Sequence, residues 1–427
     1  MTKRPTVSAL VASQPIPRMF QVRQMFPRPK IEEAHISSFI DELLSQDTFT
    51  SHIKPGMSIA ITAGSRGIAN IALITKSIVD FVKSKGASPF IVPAMGSHGG
   101  ATAQGQLEIL AAYHITEDSM GCPLRSSMEV TKIGVNEEGT YVYIDKHAAL
   151  ADGIIVACRI KPHSAFRGPY ESGIMKMMAI GLGKQYGAEV CHQAGFKSMA
   201  KYVPMFGKAI LQHAPILFAL AVIENAFDET CKIVAVDASE IEDKEPLLLQ
   251  EAFAQMGEIY LDKCDVLIVD QLGKNFSGDG MDPNITGTYP TEYAGGGLEA
   301  QHICVLDLSE ETHGNATGIG MASAMTERAY QKIDLSAMYP NAITSTVLDV
   351  VKLPVIMEND KETIQLCIKV GVDIDKDNPR IIRIPNTLHI EHIWLSEAYY
   401  EEAKKHPHLV IESEPAYMEF DEAGNLW

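Results

Sequence analysis

Positive charge is scarce in this chain, and long apolar runs are absent. Its 427 residues include 36 Lys and Arg against 54 Asp and Glu, a formal net charge of −18 at pH 7. Such a body repels nucleic acid and anionic membrane surfaces, and the sequence has no Lys/Arg cluster that would form a local basic patch. No run reaches the ~18 apolar residues of a membrane span. The composition predicts a soluble protein with no nucleic-acid or membrane partner.

Paired cysteines are missing as well. The seven cysteines are odd in number, scattered, and without any Cys-x-x-Cys pair. This pattern argues against a disulfide framework and against a cysteine zinc site, and it predicts buried thiols in a reducing compartment. The first 24 residues lack the apolar core of a signal peptide. We therefore expect a cytoplasmic location.

The chain does contain a regular alternation of strand-like runs and helical segments. Residues 57–62 predict a strand, followed by the turn Gly64-Ser65-Arg66-Gly67 and a helix over 69–85. Residues 89–94 predict a second strand, which ends in a Gly-Ser-His-Gly-Gly segment before a helix over 101–112. This order is typical of an open parallel sheet. Ligands of such sheets gather at the carboxyl ends of the strands.

Two domains are expected from the rest of the chain. Six further strands are predicted, at 153–160, 216–223, 231–236, 265–270, 303–308 and 380–384. A shift toward Gly, Asn and Asp over 273–297 favours a domain boundary near residue 260. We predict an N-terminal α/β domain over 1–259, completed by 386–427 through a last helix at 391–405, and a C-terminal α/β domain over 260–385. The predicted fold class is α/β, with largely parallel sheets and the active site in the cleft between the domains.

The most unusual local feature is a lysine in an apolar stretch, Gly173-Ile174-Met175-Lys176-Met177-Met178. A lysine in such surroundings is costly unless it is paired, neutral or covalently used. Desolvated lysines are common points of attachment to a carbonyl or a cofactor. The alternative is a structural lysine whose stem lies along apolar neighbours. His192 follows 16 residues later, and a lone histidine is more often an interior residue than a ligand.

Three polar residues fall where predicted strands end. His98 is flanked by glycines that let a ligand approach the backbone, and the helix after it offers amide donors to an anion. Arg66 is suited to hold a carboxylate through paired hydrogen bonds. His163 is suited to acid–base chemistry near neutral pH. Each of the three could instead be a turn residue with no role in binding or catalysis.

In order and spacing these residues resemble the nickel-dependent lactate racemase family, whose members carry a nickel-pincer nucleotide. The strongest elements are Gly96-Ser97-His98 and the Lys176 to His192 separation, and the resemblance extends from the Arg66 turn to Gln271-x-x-Lys274. It implies two α/β domains with the site between them. It also implies a covalently bound cofactor, pyridinium-3-thioamide-5-thiocarboxylic acid mononucleotide, with nickel.

The resemblance assigns the cofactor residues by position. Lys176 matches the lysine that binds the cofactor through a thioamide, and His192 matches the histidine that ligates nickel. Neighbouring small residues are expected to contact the cofactor as well: Ser172, Gly173, Gly99 and Gly100.

The same comparison assigns the substrate residues. His98 and His163 match two acid–base histidines. Arg66 and Lys274 match the pair that holds the substrate carboxylate, and Gln271 matches a glutamine beside them. The implied activity is that of an isomerase, the racemisation or epimerisation of a 2-hydroxy acid by hydride abstraction and return. The expected partners are that small molecule and, transiently, the cofactor-synthesis proteins; the oligomeric state is left open.

Two departures from the family pattern bear on the substrate. The segment between His163 and Lys176 is a few residues longer than in the lactate enzymes. Ala63 stands where those enzymes carry an aspartate three positions before the arginine. Both departures favour a homologue that acts on a 2-hydroxy acid other than lactate.

Two other functions remain open from the residues alone. One is a metal-independent aldolase or lyase that forms a Schiff base at Lys176. The other is a non-catalytic protein that binds a sugar phosphate or nucleotide at the glycine-rich strand ends. Lys184, in Gly-Leu-Gly-Lys, is the alternative candidate for the attachment point or for a phosphate contact.

Overall fold

The computed structural model describes residues 4–65, 67–193 and 195–427, apart from the side chains of residues 341 and 344. The chain divides into two compact units. We call Pro27–Met256 the N-terminal unit, and Met1–Phe26 together with Gly257–Trp427 the C-terminal unit. This division differs from the predicted one, because 386–427 and the first 26 residues both belong to the C-terminal unit.

The strands and helices are numbered in chain order. The strands are β1 (Met19–Gln24), β2 (Ser58–Ala63), β3 (Ser88–Pro93), β4 (Val130–Val135), β5 (Tyr141–Asp145), β6 (Gly153–Arg159), β7 (Ile216–Glu224), β8 (Thr230–Asp237), β9 (Lys263–Leu272), β10 (Glu299–Leu308), β11 (Ala324–Thr326), β12 (Val355–Met357), β13 (Ile381–Ile384), β14 (His392–Ser396) and β15 (Leu409–Ile411). The α-helices are α1 (Pro5–Val11), α2 (Glu33–Leu44), α3 (Asp47–Thr50), α4 (Ile71–Ser84), α5 (Ala103–Ala112), α6 (Glu117–Met120), α7 (Lys146–Ala149), α8 (Ile174–Lys176), α9 (Lys184–His192), α10 (Met199–His213), α11 (Ile241–Gln255), α12 (Pro283–Thr286), α13 (Glu327–Gln331), α14 (Leu335–Ser345), α15 (Asp360–Val370) and α16 (Tyr400–Ala403). A π-helix, Met177–Leu182, joins α8 to the start of α9.

The N-terminal unit is built on a sheet of order β3-β2-β6-β7-β8. The first four of these strands are parallel, and β8 is antiparallel to β7. Side chains of a strand alternate between faces, so Ile59 and Ile61 of β2 pack with α2 and α4, whereas Ala60 faces the core that holds α10 and α11. Burial on both faces explains why these strands are continuous apolar runs. Strands β4 and β5 form a separate antiparallel pair.

The C-terminal unit is built on a sheet of order β12-β11-β10-β9-β13-β14-β1-β15. The strands from β12 to β13 are parallel, and β14, β1 and β15 add antiparallel pairings. The predicted helix over 391–405 is wrong in its first part, because residues 392–396 form β14, and helical structure begins only at Glu397–Tyr399 and continues in α16. Ile393 and Leu395 are buried while His392 is exposed, a period of two that suits a strand. Pairing between β14 and β1 is what draws both segments into this unit.

The predicted fold class is confirmed: the chain is α/β, with two sheets that are mostly parallel. Among the described residues, no helix has both the length and the apolar character needed to cross a membrane.

A buried carboxylate ties several parts of the C-terminal unit together. Asp360, the first residue of α15, accepts hydrogen bonds from Arg328 at 3.0 and 3.2 Å and from the Leu426 backbone N–H at 2.8 Å. Its side chain is fully buried. Burial raises the pKa of Asp360, and the Leu426 amide and Arg328 oppose that rise.

Replacing Asp360 by Ala leaves the Arg328 guanidinium with fewer partners and the Leu426 amide without its acceptor. We expect a loss of unfolding free energy of roughly 3 kcal/mol, measured by denaturant unfolding. The matched control is Asp349→Ala, which removes an exposed ion pair with Lys352. The control should stay within about 0.5 kcal/mol of the parent protein. Equal losses in the two variants would contradict the role given to Asp360.

Candidate functional site

Lys176 and His192 lie on two helical segments joined by a sharp corner. Lys176 ends α8, the π-helix follows, and His192 ends α9. A straight helix would separate the two residues by about 24 Å. The chain instead turns at Lys184, whose φ of 54° is left-handed. The turn brings His192 back toward Lys176, close enough for the ammonium to lower the pKa of the imidazole.

His192 is held in its neutral form. Burial, and then the charge of Lys176, lower its pKa to about 4. A neutral imidazole keeps a lone pair for a metal, which is the form that ligates. Its ring centroid lies 6.3 Å from that of Phe196, and the His163 ring lies 6.2 Å from the same Phe196. Both histidine rings therefore lie close to Phe196.

A carboxylate from α11 caps the helix that carries Lys176. The Glu245 Oε2 atom accepts a hydrogen bond from the Met175 N–H at 2.9 Å, and the side chain is 1% exposed. Burial raises the pKa of Glu245 to about 7. A Cβ added to Gly173 would lie 2.2 Å from the Glu245 Oε1 atom, so glycine is needed there for close packing. The Ser172 Oγ atom lies 3.5 Å from the Lys176 Nζ atom.

The His98 loop packs against the same helical run. The Gly96 N–H donates to the Gly181 carbonyl at 3.2 Å, and a Cβ on Gly64 would lie 3.2 Å from the Met177 Cε atom. The ends of β2 and β3 thus contact the segment directly after Lys176. The His98 Nδ1 atom is hydrogen-bonded to the Ser65 hydroxyl.

The backbone after His98 is left-handed at three residues in a row. Gly99, Gly100 and Ala101 have φ values of 69°, 63° and 54°. A Cβ on Gly99 would lie 2.6 Å from the backbone of α5, whereas Gly100 is exposed and has open space around it. Gly99 is thus required by the fold, and contact of either glycine with a cofactor stays a prediction.

Lys184 is enclosed by protein acceptors. Its Nζ atom donates to the Pro93 carbonyl at 2.8 Å and to the Gln106 Oε1 atom, and lies 3.7 Å from Asp145 Oδ2. The side chain is fully buried; burial lowers its pKa to about 8, and Asp145 opposes that shift. Such a lysine serves the corner itself. The alternative assignment of Lys184 as attachment point or phosphate contact is therefore wrong.

Gln106 extends this network into the His98 loop. Its Nε2 atom donates to the Gly96 carbonyl at 2.9 Å and to the His98 carbonyl at 3.2 Å. One buried group thus fixes both the corner of the helical run and the backbone that presents His98.

Two further predicted site residues belong to the C-terminal unit. Gln271 is near the end of β9, in register with Asp307 of β10, and Lys274 follows it and donates to the carbonyl of Gly278. Both are in the C-terminal unit, and their predicted roles remain predictions. Arg66 lies outside the described residues.

Sequence reasoning missed Ser65, Gln106, Phe196 and Glu245. Ser65 stands in the predicted Arg66 turn and had a positional signal. Glu245 and Gln106 are polar residues within amphipathic helices, and only the tertiary structure shows that they are buried. Within the described residues, no three His, Cys, Asp or Glu side chains are arranged to hold a metal, so His192 is a single candidate ligand.

Comparisons with known proteins bear on the family and on the fold. Residues 6–202 match the family model described as the lactate racemase N-terminal domain. The fold is similar to the lactate racemase apoprotein from Thermoanaerobacterium thermosaccharolyticum, with a TM-score of 0.51 and 15% identity over 86% of this chain and 94% of that one. It is also similar to a protein from Thermotoga maritima, with a TM-score of 0.53 and 12% identity over 85% and 98% of the two chains. No curated protein sequence matches significantly.

Replacing Lys184 by Met should destabilise the N-terminal unit, because Asp145 is left buried without its cation and Gln106 loses its donor. We expect a loss of roughly 3 kcal/mol in unfolding free energy. Adding Asp145→Asn should recover part of it. Lys197→Met, at an exposed position, is the control and should have little effect. A Lys184→Met protein as stable as the control would contradict the network.

Glu245 should make stability depend on pH. Its native pKa of about 7 exceeds the ordinary value of 4.5, so the folded protein binds this proton more tightly and loses stability as pH rises between the two. Relative to Glu245→Gln, the parent should lose roughly 3 kcal/mol of unfolding free energy from pH 4.5 to 7. Denaturant titrations at several pH values measure this. The control Glu251→Gln, exposed on the same helix, should give a nearly constant difference.

Proposed function

We propose that this chain, whose residues 6–202 match the family model of the lactate racemase N-terminal domain, is a 2-hydroxyacid racemase or epimerase that works with a nickel-pincer nucleotide. The observation that carries the proposal is the helical corner that brings a neutral, half-buried His192 back toward Lys176. A covalent anchor and a single metal ligand are then neighbours. This is the donor set that a tethered nickel cofactor requires.

The residues present fit such a group. Lys176 would hold it through the side-chain nitrogen, with Ser172 beside that atom. His192 would ligate nickel as a neutral imidazole, without first losing a proton. When bound, the cofactor supplies an electrophilic acceptor for hydride, which no side chain can provide.

The protein's own task is to move a proton and hold a carboxylate. The hydroxyl proton of a 2-hydroxy acid must leave as the carbon–hydrogen bond breaks, and it must return when the bond reforms. Two mirror-related substrates need an acid–base group on each side. His98 and His163 have this role in the proposal. The Nδ1 atom of His98 is hydrogen-bonded to the Ser65 hydroxyl, and the Nδ1 atom of His163 accepts a hydrogen bond from the Ala165 N–H.

We assign the substrate carboxylate to Arg66 and Lys274, with Gln271 as a further contact. A fixed carboxylate keeps the substrate bound while the 2-oxo acid turns between its two faces. The substrate is a 2-hydroxy acid other than lactate. Ala63, buried at the end of β2, offers no carboxylate to a substrate, and the segment after His163 is longer than in the lactate enzymes.

The test is to produce the protein together with the cofactor-synthesis enzymes and to measure its intact mass and nickel content. Lys176→Ala should lose the adduct and the nickel completely, because the covalent anchor is gone. The matched control Lys197→Ala should load like the parent. Loaded protein is then screened against chiral 2-hydroxy acids.

Absence of adduct and nickel in the parent, while a lactate racemase loads in the same cells, would overturn the proposal. Borohydride trapping of a substrate carbonyl at Lys176 under those conditions would indicate the Schiff-base chemistry instead.

A further inference from the structure

The segment after His163 is a closed loop. Lys161 and Ser172 exchange two backbone hydrogen bonds, with N···O distances of 2.9 and 3.2 Å, at its base. Residues 162–171 lie between them. This is also the segment in which the sequence departs from the lactate enzymes.

Glu171 is the organising side chain of the loop. It is 2% exposed. Its Oε2 atom accepts from the His163 N–H at 2.6 Å, and its Oε1 atom accepts from the Gly168 N–H at 3.2 Å. Burial raises the pKa of Glu171, and these amides together with Arg167 oppose the rise. A carboxylate with both oxygens engaged by backbone amides shapes the loop.

Arg167 completes a clamp on His163. Its Nη1 atom donates to the His163 carbonyl at 2.6 Å and lies 3.3 Å from the Glu171 Oε2 atom. The ion pair therefore holds the backbone N–H and the carbonyl of the same residue. The guanidinium also lies over the Phe253 ring, 5.3 Å from its centroid, which anchors the clamp to α11.

Other residues of the same loop contact the His163 ring. The Ala165 N–H donates to the His163 Nδ1 atom at 3.0 Å. An atom that accepts this bond carries a lone pair, so the proton of the neutral ring is on Nε2. Phe166, with its ring centroid 4.4 Å away, packs against the imidazole and limits its rotation.

We propose that Arg167 and Glu171 are positioning residues that hold His163 as its Nε2–H tautomer, so that the resting ring donates a hydrogen bond to a substrate oxygen. The inference rests on the proposed function for its use in catalysis. The two histidines then differ in how their tautomers are set. The Ala165 N–H favours one tautomer of His163, whereas the Ser65 hydroxyl can donate or accept and so suits either tautomer of His98.

The tautomer can be read without cofactor. In apo protein with ¹⁵N-labelled histidine, two-bond proton–nitrogen correlation spectra distinguish protonated from unprotonated ring nitrogens, and His163→Asn assigns the signals. We expect His163 with Nε2 protonated and Nδ1 unprotonated. A resting Nδ1–H ring, or an even mixture, would overturn the proposal whether or not the protein loads nickel.

The clamp is tested with Glu171→Gln and Arg167→Met. We expect mixed tautomers in both and, in loaded enzyme, kcat lowered about tenfold or more with KM nearly unchanged. Glu189→Gln, exposed on α9, is the control and should change neither. Arg167→Lys should restore part of the tautomer preference. Near-ultraviolet circular dichroism shows whether the two variants are folded. If the folded variants keep a single Nε2–H tautomer, Arg167 and Glu171 do not set the tautomer of His163.

Discussion

The buried ammonium of Lys184 is the constraint on which the site depends. A left-handed backbone at a non-glycine residue is unfavourable by itself, and it persists here because Pro93, Gln106 and Asp145 surround the side chain. The corner sets the direction of α9 and so the place of His192. Through Gln106 the same interaction reaches the backbone of His98. One buried cation thus fixes two parts of the site that are far apart in sequence.

Lys176 and His163 are each held in place through the backbone of their own segment. Glu245 caps the helix of Lys176, and Glu171 with Arg167 holds the backbone of His163. Glu245 and Glu171 are buried, and both accept hydrogen bonds from backbone amides. Because such groups are costly when unpaired, the geometry around them is strongly determined.

Much of the fold could be predicted from the sequence, and less of the site. Apolar strand runs such as 57–62 and 265–270 carry a clear local pattern, and the structure has strands there. The helix predicted over 391–405 is wrong at its start, because pairing with the distant β1 makes 392–396 a strand. The sequence draws attention to Lys184, but it does not reveal that this lysine is buried among protein acceptors. Its partners come from β3, α5 and β5, and only the folded chain brings them together.

The pairing of β1 with β14 and β15 has a consequence for how the protein matures on the ribosome. β1 precedes the N-terminal unit in the chain, whereas both of its partners, β14 and β15, follow that unit. The N-terminal unit is one continuous segment, so all of its strands are synthesised before β14 and β15. Domains generally fold as units during synthesis. Lys176 and His192 can therefore be brought together before the chain has supplied β14 and β15, the strands with which β1 pairs.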